Sequence, residues 1–245
     1  MSVPGYGPDM AYAHQTGHSD FVRLAVPTVL AQLRAAGIDA GLVVDLGCGS
    51  GVLAQELLSA GYAVLGVDLS ADMIELARRT APGADFVHAS YLDVDLPACA
   101  AVTSVGQSLG YAFDPRVGEA ELQRFFVRVW RALRPGGLFV FDLNAPVPAD
   151  DAREYGGLHW RETPDWTLLA ETVVDERALT RRIVLFRRVG RLYRRTEERH
   201  VVLLYEPWTV LAALAAAGFV AGTFHDYGGA RFPAQLVGYR AVKPG

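Results

Sequence analysis

The chain has 245 residues, 51% of them hydrophobic, and a formal net charge of −4. That length can bury one large core or a core with a small lobe. The mild acidity gives no general drive toward nucleic acid or anionic membrane, and no run approaches the roughly 18 apolar residues of a membrane span. The only cysteines, Cys48 and Cys99, are too few for a disulfide framework and suit a reducing cytoplasm. Residues 1–6 have neither a basic start nor an apolar stretch, so no secretory signal is read there.

Residues 1–20 are rich in Gly, Pro, Tyr and His, with Tyr6, Tyr12, His14 and His18 close together. Few aliphatic residues anchor this stretch, which predicts a mobile surface tail or a lid. Leu24, Val29, Leu30 and Leu33 then recur at helical spacing, perturbed at Pro27 and ended by Gly37. Residues 43–51 follow as Val-Val-Asp-Leu-Gly-Cys-Gly-Ser-Gly, and Val52, Leu53, Leu57 and Leu58 resume the helical spacing. The order is therefore strand, glycine turn, helix, in which backbone can approach a ligand closely beneath a helix N-terminus. A dinucleotide fingerprint would place a third glycine where Val52 stands. Asp45, just before the turn, can receive an ammonium group or orient the loop. A second buried strand over 61–68 ends in Asp68, where an acid in nucleotide-binding α/β folds bonds ribose hydroxyls. Ser70, after Leu69, caps a helix carrying Met73, Ile74, Leu76 and Ala77.

The pattern predicts a third strand over 84–89, followed by Ser90, Tyr91 and Leu92, and a fourth over 98–105. Open α/β sheets bind ligands beyond the carboxyl ends of their strands, so Val105, Gln107 and Tyr111 lie nearest the reacting atoms. An amphipathic helix spans 121–133, and Arg134-Pro135-Gly136-Gly137 turns into a fifth strand over 138–144. Asp142 and Asn144 close that strand beside the pocket, in a turn role or in substrate contact. After a linker at 145–148, three strands are read over 166–174, 179–189 and 192–204. Arg182, Arg187, Arg188, Arg191, Arg194 and Arg195 dominate them, interleaved with Asp175, Glu176, Glu197 and Glu198, which reads as a solvated, ion-paired face. A helix over 208–217, stopped by Gly218, precedes closing strands over 219–227 and 236–242. No His, Cys and carboxylate cluster has metal-ligand spacing, so no metal is expected.

The 43–51 turn, Asp68 and the Arg134–Leu138 turn together resemble class I S-adenosylmethionine (SAM) dependent methyltransferases. The resemblance implies an α/β fold, a doubly wound, Rossmann-like seven-stranded sheet with a small antiparallel β cap inserted after the fifth strand. Residues 1–40 would be a lid and helix, 41–144 and 206–245 the core, and 145–205 the cap. It implies SAM held by Asp45, Gly47, Cys48, Gly49, Gly51, Asp68, Leu69, Ser90, Tyr91, Leu92, Val105, Gln107 and Tyr12. Ala89-Ser90 replaces the family's usual Gly-Asp. Residues 105–111 resemble the matching segment of amino-sugar N,N-dimethyltransferases and glycine/sarcosine-type enzymes, which makes Tyr111 a catalytic candidate; His14 joins it as a member of an N-terminal lid like that of many small-molecule methyltransferases. Tyr12, Asn144, His159, Trp160 and Tyr205 are the candidates for acceptor contact. The segment lacks the N/D-P-P-Y/F signature of nucleic-acid adenine methyltransferases, so a small-molecule acceptor methylated on N, O or C is expected, with no nucleic-acid or membrane partner. Two alternatives stay open: a protein that binds SAM without transfer, and a nicotinamide oxidoreductase.

Overall fold

The structure, a computed structural model, describes residues 5–17, 20–147 and 156–245. His18 and Pro148 fall outside them. The chain opens with α1 (Pro8–Gly17) and α2 (Asp20–Ala35), then alternates β1 (Leu42–Leu46), α3 (Val52–Ser59), β2 (Ala63–Asp68), α4 (Ala71–Thr80), β3 (Asp85–His88) and β4 (Cys99–Ser104). Next come α5 (Glu119–Ala132), β5 (Leu133–Asn144), β6 (Gly157–Glu162), β7 (Trp166–Val174), β8 (Ala178–Val189) and β9 (Leu192–Leu203). The chain closes with α6 (Pro207–Ala216), β10 (Val220–Phe224), a small hairpin of β11 (Asp226–Tyr227) and β12 (Ala230–Arg231), and β13 (Leu236–Val242).

Seven strands form one sheet, as the resemblance implied, and their order is β10-β13-β5-β4-β1-β2-β3. Strands β1 to β5 run parallel, and β13 is antiparallel to both β5 and β10. Alternating side chains of β5 show how the layers are made. Phe139, Phe141 and Leu143 pack with Phe125, Phe126, Val129, Val210 and Leu214 of α5 and α6. Leu138 and Val140 face the opposite layer, with Val29 and Leu33 of α2 and Leu53 and Leu57 of α3. Burial on both faces explains why these strands read as apolar runs rather than alternating ones. The order reverses between β1 and β4, which opens a crevice at their carboxyl ends.

A separate antiparallel sheet, β6-β7-β8-β9, lies over that crevice. Three of its strands were legible; β6 was not, because all six of its residues are exposed and none alternates. The predicted ion-paired face is present: Glu197 pairs with Arg182 and Arg195, and Asp165 with Arg188. Residues 8–17 correct the expectation of an unanchored tail. They form a helix whose Met10 and Ala13 pack against Trp166, Leu168, Ile183 and Leu185 of the second sheet. Asp9, almost fully buried, accepts from Arg187 at 3.0 Å and from Arg194 Nε at 2.6 Å. The anchors were illegible because they lie some 150 to 185 residues away.

Candidate active site

The glycine turn is fastened to the neighbouring strand before any ligand is considered. Gly47 and Cys48 donate their N–H groups to the Val67 carbonyl at 2.7 and 3.0 Å. A Cβ on Gly47, whose φ is +66°, would lie 2.3 Å from the Ser108 Cβ, so only glycine lets the loop after β4 approach this closely. Gly49 differs: a Cβ there would meet no atom of the described residues within 4 Å. Its N–H donates to Asp68 Oδ2 at 2.9 Å, and Ser70 N–H donates to Asp68 Oδ1 at 2.8 Å. Burial raises the Asp68 pKa, and these two N–H bonds oppose that rise.

Two further acids shape the floor. Asp45 accepts from the Thr103 hydroxyl at 2.8 Å across β1 and β4, and burial pushes its pKa up to about 7 against that bond. Asp142, fully buried at the end of β5, accepts the N–H groups of Gly106 at 3.0 Å and Gln107 at 2.5 Å and the Tyr227 hydroxyl at 2.6 Å. Among the described residues Gln107 is the non-glycine residue with positive φ, 59°. Such a backbone costs on the order of 1–2 kcal/mol and needs support, which Asp142 provides. Of its two sequence readings, Asp142 therefore takes the turn role.

These elements enclose a cavity of about 600 Å³ between the strand ends and the cap. His14, Gly47, Cys48, Gly49, Asp68, Val105, Gln107, Tyr111, Asn144, His159 and Trp160 line it. A narrow cleft of about 50 Å³ adjoins it at Asp68 and Ser108, walled by Leu69, Ser90 and Tyr91. Five sequence candidates line neither space and are corrected. Tyr12 stands two residues before His14, about 200° around the helix, and lies under the Arg187 guanidinium at 3.8 Å instead. Leu92 and Tyr205 are buried in the core beneath α5. Asp45 turns to Thr103, behind the glycine loop. Gly51 also stands off the wall, at the start of α3.

The cap brings in residues that sequence reasoning passed over. Ala112 N–H donates to the Val201 carbonyl at 2.8 Å, which draws the loop after β4 up against β9. The Tyr111 hydroxyl then lies 3.3 Å from that of Tyr6 and 3.5 Å from Arg181 Nη1. Tyr6, Phe113 and His200 gather beside it, with both other rings 4.9 Å from the buried His200 imidazole. Burial, and then the Tyr111 neighbour, raise the Tyr6 pKa well above its ordinary value. Glu198 Oε2 sits 2.7 Å from His200 Nε2, and its Oε1 accepts the Gly7 N–H at 3.0 Å. In the narrow cleft Ser90 donates to Asp114 at 2.6 Å, and Arg116 holds that carboxyl well below the usual range. Nothing at position 90 signals an acid 24 residues onward.

Comparison with known proteins agrees with this geometry. Residues 43–137 match the family model of a methyltransferase domain. A dTDP-3-amino-3,6-dideoxy-alpha-D-glucopyranose N,N-dimethyltransferase of Streptomyces fradiae is 32% identical over 130 residues, 53% of this chain and 49% of that protein. The chain spans about half the length of the curated relatives it matches. Among solved structures, the sugar N-methyltransferase KedS8 from Streptoalloteichus sp. superposes with a TM-score of 0.79 at 21% identity, over 100% of this chain and 97% of that one. A SAM-dependent methyltransferase from Clostridium acetobutylicum gives a TM-score of 0.79 at 17% identity over 96% of both chains. Residues 43–137 thus match the model of a methyltransferase domain, and the chain as a whole takes the fold of SAM-dependent methyltransferases.

Proposed function

We propose that this chain transfers a methyl group from SAM to a small-molecule acceptor enclosed between the strand ends and the cap. The observation that carries the reading is Asp68, half-buried at the end of β2 and bonded to the Gly49 N–H, at the wall of a 600 Å³ cavity roofed by the cap. That volume suits a cofactor with a small acceptor better than a polymer. The open space at Gly49 fits a cofactor lying against the backbone. Each Asp68 oxygen accepts one N–H and keeps a second lone-pair direction for a ribose hydroxyl. Leu69, Ser90 and Tyr91 would wall the adenine, with Ser90 held in place by Asp114.

When bound, the cofactor supplies an electrophilic methyl carbon on a sulfonium. The chain's contribution is alignment and exclusion of water. Asp142 sets the loop at 105–107 from which the acceptor would be aligned, and helix α1 with the cap closes the cavity. A nucleophile that carries a proton would lose it toward Tyr111 or His14, the two candidate groups on the wall. The likeness to sugar N-methyltransferases supports an amine as the methylated atom. Incubation with methyl-labelled SAM and a panel of amines, phenols and indoles tests this. Labelled product is expected from amines; binding of SAM with no label on any acceptor would favour a SAM-binding protein without transfer.

A further inference from the structure

The walls of the cavity are electrically lopsided. Asp68, at the cofactor end, is the one carboxylate among the described lining residues, whereas Arg161 and Arg181 line the cap end. Arg161 is engaged, donating to the Gly17 carbonyl. Five other cap arginines have carboxylate partners: Arg182, Arg187, Arg188, Arg194 and Arg195 pair with Glu197, Asp9, Asp165, Asp9 and Glu197 in turn. Arg181 is half-buried and has no carboxylate partner among the described residues. Its nearest polar contact is the Tyr111 hydroxyl at 3.5 Å, the outer limit of a hydrogen bond. Glu198, two residues before His200 on β9 and opposite Ile183, is committed to His200 and to Gly7.

Strand register aims this arginine inward. Arg181 shares a face of β8 with buried Leu179, Ile183 and Leu185. It lies directly opposite Thr172 on β7 and His200 on β9, both almost fully buried and both on the cavity wall. A half-buried guanidinium is a planar fork of donors that carboxylates and phosphates satisfy bidentately. From this arrangement we infer that the acceptor carries an anionic group, a phosphate or a carboxylate, which seats on Arg181 between Thr172 and His200. The inference rests on the methyl-transfer reading and adds a direction to it. An anion held at the cap turns the rest of the acceptor toward the Asp68 end, where the methyl would lie.

The test is direct binding, so it does not depend on finding the substrate. Calorimetric titrations of the full chain with pyrophosphate, thymidine diphosphate and citrate, against thymidine and glycerol as neutral controls, are run with S-adenosylhomocysteine present. Wild type should bind at least one anion far more tightly than its neutral control, with affinity falling as salt rises. Pyrophosphate and the diphosphate mark a phosphate seat, and citrate a carboxylate seat. Arg181→Gln should lose about 10-fold or more of that affinity, Arg181→Lys should lose less, and neither should alter S-adenosylhomocysteine binding. Equal anion binding by wild type and Arg181→Gln, or none by wild type, would overturn the anionic acceptor. Failure of S-adenosylhomocysteine itself to bind would instead count against the cofactor reading, and the anion titrations can still be read without it.

Discussion

At the scale of single residues, three side chains separate binding from catalysis and from stability. Asp68 is half-buried on the cavity wall with each oxygen held by a backbone N–H, so Asp68→Ala should weaken S-adenosylhomocysteine binding by about 10- to 150-fold, the loss of roughly 1.5–3 kcal/mol. Calorimetry showing unchanged affinity would put the cofactor elsewhere. Tyr111 stands on the cap side of the cavity with its hydroxyl near Tyr6 and Arg181. Tyr111→Phe is therefore expected to slow turnover more than it weakens cofactor binding. Asp45 acts on stability. Its folded pKa of about 7 lies above the ~3.9 of an unfolded aspartate, so the native state keeps a proton that the unfolded chain gives up. The stabilisation is complete below about pH 4 and is lost as pH rises through about 7. Asn at this position still accepts from Thr103 but does not titrate. Thermal melts of Asp45→Asn should accordingly change less than wild type between pH 5 and 8, and parallel profiles would show that Asp45 is ionised throughout.

At the scale of elements, the union of α1 with the cap decides whether the cavity is closed. Asp9 is buried beneath Arg187 and Arg194, while Trp166 Nε1 donates to the Thr16 hydroxyl at 2.9 Å at the other end of the helix. Removing a buried partner of an ion pair costs about 3–5 kcal/mol in an enclosed site; both arginines reach solvent here, so about 1–3 kcal/mol is expected for Asp9→Ala. Urea denaturation measures it, and a loss below about 0.5 kcal/mol would class the contact with ordinary surface pairs. Gly17 offers a packing test that leaves charge alone. A Cβ there would lie 2.4 Å from the Trp166 ring, so Gly17→Ala must push the helix and the cap apart. The same denaturation assay should show a loss of about 1–3 kcal/mol, with S-adenosylhomocysteine affinity changing less than turnover.

At the scale of the whole molecule, the arginine-rich cap raises the question of nucleic acid. Arg182, Arg187, Arg188, Arg194 and Arg195 are ion-paired in place, by Glu197 and Asp165 on the outer face and by Asp9 at the helix seam. That pairing reduces the number free to displace counterions from phosphates. Gel-shift titrations with tRNA and duplex DNA at physiological salt should detect only weak binding. A tight, steeply salt-dependent complex would reverse the small-molecule reading. Among the described residues no helix is long and apolar enough to cross a membrane.

The cofactor end was legible because its meaning is local. Residues 43–51 are a strand, a turn and a helix start in unbroken order, and the Asp68 carboxylate accepts the Gly49 N–H only 19 residues away. Backbone conformation and short-range spacing suffice to place them in any chain that folds this way, so the doubly wound sheet could be anticipated. The acceptor end has no such locality. Tyr6, Tyr111, Arg181 and His200 come from four separate parts of the chain, and strand register and alternation decide which of them face inward. A slip of one residue in β8 would turn Arg181 to solvent and bring Arg182 to the cavity. In the sequence both are arginines in an ion-paired stretch, and nothing local tells them apart. What separates them is the pairing of β7, β8 and β9 and the buried aliphatic face on which Arg181 sits, and that only the tertiary structure decides.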